Sequence, residues 1–214
     1  MIGILQTDKC NYVKERSHAM RNVLRKGFAI IISAAIVLCL IPAQKISAAE
    51  FDLGTATVNT YENNYFGHRI TLPDGYVFCA SELGSPETAM ALVNSGAGIT
   101  IIEAESTTGI ANMNIILTNG ATGYTEKTIL EEGMADVKAN LSEGITLNKI
   151  EILNKKVAGS KHDILATSVT IGEVTISQRQ VVLINGDYGM FITFSGADDA
   201  EADAMLKWLS KIEL

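Results

Sequence analysis

Apolar and polar positions change rhythm several times along this chain. Residues 54–61 (GTATVNTY) are rich in Thr and Val, and the run YFGHRITL (65–72) follows after Glu62-Asn63-Asn64. Two β-prone runs around a short Asn-containing link predict a hairpin. Pro73-Asp74-Gly75 predicts a turn, because proline presets φ and glycine accepts a positive one. Ser85 as a cap, Pro86 in the first turn and Gly96 as a stop predict a short helix. Residues 99–105 and 112–118 read as strands joined by the turn-rich STTGIA.

The rhythm then lengthens. Leu130, Met134, Val137 and Leu141 recur at helical spacing, with Thr125 to cap the start and Gly144 to end the run. Gly133 lies inside this helix, where it allows close approach to a sheet. Residues 145–153 alternate again. After them HDILATSVTI, VTISQRQVVLI and DYGMFITFS predict three strands joined at Gly172-Glu173 and Asn185-Gly186. Glycine in the first central position suits a type II′ turn, and Asn-Gly suits type I′. Tyr188, Met190, Ile192 and Phe194 fall on one face of the last strand. Met205, Trp208, Leu209 and Ile212 then predict a terminal helix, with Asp198, Asp199 and Glu201 at its positive end. Strands dominate and hairpins make the sheet mostly antiparallel. The expected fold class is α+β, a central sheet flanked by helices.

Residues 1–49 are different in kind. The uncharged run FAIIISAAIVLCLI (28–41) is preceded by Arg21, Arg25 and Lys26 and followed by small residues at Ser47 and Ala49. That is the order of a secretory signal peptide cut after Ala49. The run is shorter than the roughly 20 residues a spanning helix needs, which weighs against the alternative of a retained membrane anchor. Cys39 follows Leu38 within the apolar run, so it is not placed as a lipid-attachment cysteine. Met20 is a better start for the signal than Met1. The expected organisation is an over-extended start at 1–19, a signal peptide at 20–49, an N-terminal segment or strand at 50–60, and a domain at 61–214. The protein is expected to leave the cytoplasm by the Sec route, for the cell envelope or the medium.

Charge changes the picture of partners. Residues 1–49 hold seven of the 17 Lys/Arg and two of the 24 Asp/Glu, which leaves ten basic and 22 acidic residues beyond them, a net −12. Such a surface repels phosphate backbones and anionic lipids, so nucleic acid is excluded and no stable membrane span is expected after cleavage. Cys79 would then be the lone cysteine, and the domain would hold through its core without an internal disulfide.

An aromatic and Asn lead into YFGHRITLPDGY, a long helix sits mid-chain, and YGMFITFSGADDAEADAMLKWLSKI joins a strand to an acidic amphipathic segment. Together these features resemble the PsbP-like family, named for an extrinsic subunit of the photosystem II oxygen-evolving complex, and its exported bacterial branch. Pro73-Asp74-Gly75-Tyr76 stands where that family often has Pro-x-Gly-aromatic, with Tyr where Trp is frequent. The resemblance spans about residues 61–213. It implies an antiparallel sheet with helices on both sides (an α/β/α sandwich) and an accessory role within a larger complex. It implies no site residue.

Several residues carry possible chemistry. His68 shares a strand face with Phe66, Ile70 and Leu72 and reads as a hydrogen-bonded histidine at the core's edge. Cys79 with His68 or His162 has the types of a thiol nucleophile and its base, without a local signature. Ser160, His162 and Asp163 are neighbours in sequence, whereas triads assemble in space, so this segment reads as a turn. Asp198 and Asp199, in DDAEAD, offer oxygen ligands to calcium but lack the spacing of a calcium loop. Glu103 and Glu105 lie on one strand face, as any i, i+2 pair does. Gly96-Ala97-Gly98 precedes a strand, the wrong order for a dinucleotide loop. His68, Cys79, His162, Asp198 and Asp199 are therefore the weak site candidates. No catalytic or cofactor-binding residue is assigned, and no cofactor is expected. The reading is an exported, non-catalytic binding or accessory domain with a protein or cell-envelope partner. A small-molecule or metal-ion binder and a secreted hydrolase are the alternatives.

Overall fold

The computed structural model describes residues 51–80, 85–107 and 109–212. The proposed leader and start lie outside them. Eleven strands and three α-helices are described, and every strand pairing is antiparallel. In chain order they are β1 (Thr55–Ala56), β2 (Thr60–Asn63), β3 (His68–Thr71), β4 (Tyr76–Ala80), α1 (Pro86–Asn94), β5 (Ile99–Ser106), β6 (Asn112–Asn119) and α2 (Glu126–Ala139). Then follow β7 (Ile145–Val157), β8 (Ser160–Ile171), β9 (Val174–Asn185), β10 (Tyr188–Gly196), α3 (Asp199–Met205) and, after a 3₁₀ turn, β11 (Leu209–Lys211).

The expected single central sheet is two sheets. The larger has the order β4-β5-β6-β10-β9-β8-β7, and the smaller β1-β2-β3-β11. Alternation gives each central strand of the large sheet two different faces. Met113, Ile115, Leu117, Val181, Met190, Ile192 and Phe194 enter the main core, together with Tyr61 and Ile70 of the small sheet and Leu72 just beyond β3. Ala89 and Val93 of α1 and Met205 of α3 join the same core. On the other face Ile116, Leu165, Val182 and Phe191 pack with Ile129 and Leu130 of α2. Helices therefore cover both faces of the large sheet, and the fold is α+β.

Local chemistry explains the helix starts. Ser85 accepts from the Thr88 amide, and Thr125 and Thr128 form a reciprocal capping box. Asp198 accepts from the Glu201 amide.

Five boundaries depart from the sequence expectation. The stretch 54–61 is two short strands rather than one. The link between β2 and β3 is the turn Asn64–Gly67, so Tyr65 and Phe66 are turn residues. Buried Asn63 sets that turn, since its Oδ1 accepts from the Phe66 amide at 3.1 Å. The β9–β10 turn centres on Gly186-Asp187, because Asn185 pairs with Tyr188. Both central residues of the β7–β8 turn, Ala158 and Gly159, have positive φ, and Ser160–Asp163 already belong to β8. The central helix stops at Ala139, short of Gly144.

The terminal helix is the largest departure. It ends at Met205, and Leu209–Lys211 pair with β3, Leu209 opposite Ile70. The open edge of β3 offers backbone partners that a continued helix would leave unsatisfied.

Candidate functional site

Two of the sequence candidates, His68 and His162, lie on different strands, β3 and β8. His68 begins β3, between Asn63 on β2 and Lys211 on β11. The turn before it is held to the large sheet by two bonds. Tyr65 Oη donates to the Asn185 carbonyl at 2.8 Å, and Asn185 Nδ2 donates to the Tyr65 carbonyl at 2.6 Å. Gly186 lacks the Cβ that would come within 2.9 Å of that tyrosine hydroxyl. This clamp fixes the β2–β3 turn against the tip of the β9–β10 hairpin.

His162 lies near the start of β8 and is buried at 8 % exposure. Its Nδ1 donates to both carboxylate oxygens of Glu126, at 3.0 and 3.2 Å. Glu126 is the first residue of α2, where the capping box fixes the helix start. His68 Nδ1 donates to the Phe66 carbonyl at 2.5 Å. Burial lowers the His68 pKa below its ordinary value; that hydrogen bond opposes the shift, and the nearby charges of His162 and Lys211 add to it. Glu126 also acts on His68. Glu126 is the member that sequence reasoning missed. Its position after a helix cap has an ordinary explanation, and only the tertiary fold places it beside a strand residue 36 positions later.

Cys79 is elsewhere. It lies buried on β4, opposite Glu103 on β5. In the sheet order β4 is five steps from β8, roughly 24 Å at about 4.8 Å per step, so Cys79 and His162 are not a nucleophile and base. Cys79 is disulfide-bonded. Ser160 and Asp163 accompany His162 on one strand, and the Asp163 carboxylate accepts from Asn154 Nδ2 on the neighbouring strand at 3.0 Å.

The acidic run has structural work. Asp198 caps α3. Asp199 and Asp203 hold Arg179, which is 1 % exposed on β9. Arg179 Nε lies 2.6 Å from Asp203 Oδ1, and Nη2 lies 3.0 Å from Asp199 Oδ1. Lys155 reaches Asp203 at 2.6 Å, and Lys149 reaches Asp199 at 3.4 Å. Burial pushes both carboxyls up, but the bonds and charge of Arg179, with Ser177 and Lys149 at Asp199 and Lys155 at Asp203, outweigh it and hold both below the usual carboxylate range. Arg179 left a readable trace: it shares strand parity with Val181 and Leu183 of the core, and a cation there requires an anion opposite.

Neither a protein-family profile nor a curated protein matches the chain. Solved structures do. Cyanobacterial PsbP (CyanoP) from Synechocystis sp. PCC 6803 is similar at a TM-score of 0.48 and 14 % identity, over 77 % of this chain and 98 % of that one. LpqN of Mycobacterium tuberculosis, described as involved in cell envelope biogenesis, is similar at 0.45 and 13 %, over 74 % of this chain and 85 % of its own. A Pseudomonas aeruginosa protein, PA94, is similar at 0.33 and 12 %, over 64 % and 81 %. No residue role is transferred from any of them.

Proposed function

We propose that the chain is an exported, non-catalytic binding or accessory domain of the cell envelope, released by a cut after Ala49 and acting on a protein or envelope partner. One observation carries the reading. Phe51, two residues beyond the proposed cut, stacks on Tyr188 with ring centroids 3.8 Å apart and meets Tyr65 edge-on at 5.3 Å. A cut after Ala49 therefore leaves this packed aromatic in place. No helix among the described residues is long and apolar enough to cross a membrane. The reactive groups of the acidic run are engaged in holding α3 to the sheet, which favours a scaffold over a reaction centre.

The test is N-terminal sequencing of the protein from the envelope and medium of its native producer, with cross-linking in intact cells. The expected product begins at Glu50, is found outside the cytoplasm, and gives one reproducible adduct. An uncleaved chain confined to the cytosol would reject export. Turnover of an envelope substrate would reject the accessory role.

A further inference from the structure

The large sheet ends on a long strand. β7 spans 13 residues and is last in the sheet order, so among the described residues only β8 pairs with it. A strand at the end of a sheet offers a row of backbone donors and acceptors to another strand, and lysines on such an edge ordinarily discourage the approach. Here two of the lysines are drawn back onto the sheet. Lys149 Nζ lies 3.4 Å from Asp199 and 2.8 Å from Glu151, and Lys155 Nζ lies 2.6 Å from Asp203. Glu151 and Leu153 stand between these lysines on the same strand face, and Leu153 is an apolar side chain left half-buried.

We infer that β7 pairs antiparallel with β7 of a second copy of this chain, about a two-fold axis at Leu153. Charge selects both the copy and the register. Beyond the irregularity between Leu147 and Lys149, residues 149–157 pair with β8 without interruption. Opposite residues of an antiparallel pair share a face. Centring the pair on Leu153 sets Glu151 of each copy opposite Lys155 of the other, with the two leucines against each other. Centring it on Glu151 opposes two carboxylates, and centring it on Ile152 opposes Lys149 to Lys155. Centring it on Ile150 runs into the irregularity. Opposite charges directly across a pair of strands contribute roughly 0.2–1 kcal/mol, whereas like charges destabilise. The Leu153 register also lays exposed Lys156 opposite the uncharged Ile150. The two-fold axis uses the same edge of both copies, so the assembly closes at two chains. The inference does not depend on export or on an accessory role.

The test is zero-length carbodiimide cross-linking of the full-length chain, mixed from ¹⁴N- and ¹⁵N-labelled protein, with peptide mapping. Within one chain Glu151 and Lys155 lie four strand positions apart, about 13 Å, too far for a direct amide bond. A Glu151–Lys155 cross-link joining a light to a heavy peptide is therefore expected only from the paired edges, and its yield should rise with chain concentration. In sedimentation equilibrium, Glu151→Lys places a lysine opposite each Lys155 and should weaken the dimer roughly tenfold. Absence of the mixed-isotope Glu151–Lys155 cross-link, a dimer cross-linked only through other residues, or unchanged self-association in the Glu151→Lys variant overturns the inference. The cross-linking of the unsubstituted chain gives its answer whether or not the variant folds.

Discussion

Arg179 is the residue on which sequence and structure differ most usefully. A buried guanidinium is tolerated because Asp203, Asp199 and the Gln178 carbonyl accept its hydrogens. Removing one acceptor leaves a buried charge partly unpaired. Asp203→Asn is expected to cost about 1–3 kcal/mol, below the 3–5 of a wholly buried pair because Asp203 is partly solvated. Arg179→Met is expected to cost less than Asp203→Asn, since Lys149 and Lys155 still neutralise the two carboxylates. Urea unfolding at neutral pH orders the two variants, and the reverse order would show the pair to be incidental. The same carboxyls set an acid limit. Their folded pKa values are depressed, so their contribution is complete above the unfolded carboxylate range near pH 4 and disappears as pH falls through the lower folded values. Arg179→Met should flatten the melting temperature against pH over that acid interval. What was legible here is instructive. Ile70 was legible as an apolar strand position and is buried, and Asp198 was readable as a helix-start residue. The pairings of His162 with Glu126 and of Arg179 with Asp199 were not, because each joins a strand to a helix whose place against the sheet no local pattern encodes.

Elements were legible where period and punctuation agree, as in β8, β9 and β10 and in the two capped helices. They were misread where tertiary partners override local spacing. Residues 205–212 have helical spacing, yet Leu209 pairs with Ile70 because the small sheet has an open edge there. Leu209 is 3 % exposed, and Leu209→Ala should cost about 2–4 kcal/mol in the same unfolding assay. Two elements contain correctable local choices. A Cβ at Gly133 of α2 meets nothing within 4 Å, so the expected close approach to the sheet is not its reason. Gly133→Ala should stabilise by about 1 kcal/mol, raising the melting temperature by roughly 2–4 °C. Ala158, at φ 48°, occupies a turn position that favours Asn, Asp or Gly. Ala158→Asn is expected to stabilise by about 0.5–1 kcal/mol. A lowered melting temperature in either variant would contradict the corresponding backbone reading.

At the scale of the molecule, the small sheet draws on both ends of the described chain: β1–β3 come from its start and β11 from its end. Its Tyr61 and Ile70 share one core with the centre of the large sheet, so the two sheets are expected to unfold together. Phe51 extends that coupling to the described residue nearest the proposed cut. Its stack on Tyr188, and its edge contacts with Tyr65 and Phe66, bridge β10 and the β2–β3 turn. Phe51 is only half-buried, so its truncation should cost less than the 3–5 kcal/mol of a core phenylalanine. Phe51→Ala is expected to lose about 2 kcal/mol while keeping a single transition. The Tyr65–Asn185 clamp is a further link between the sheets, and Tyr65→Phe removes its hydroxyl bond alone. If the two links hold the same interface, the double variant Phe51→Ala/Tyr65→Phe should depart from the sum of the single changes by about 0.5 kcal/mol or more. Strict additivity, with near-ultraviolet dichroism and far-ultraviolet dichroism melting apart, would show instead that the small sheet is a separately folding appendage.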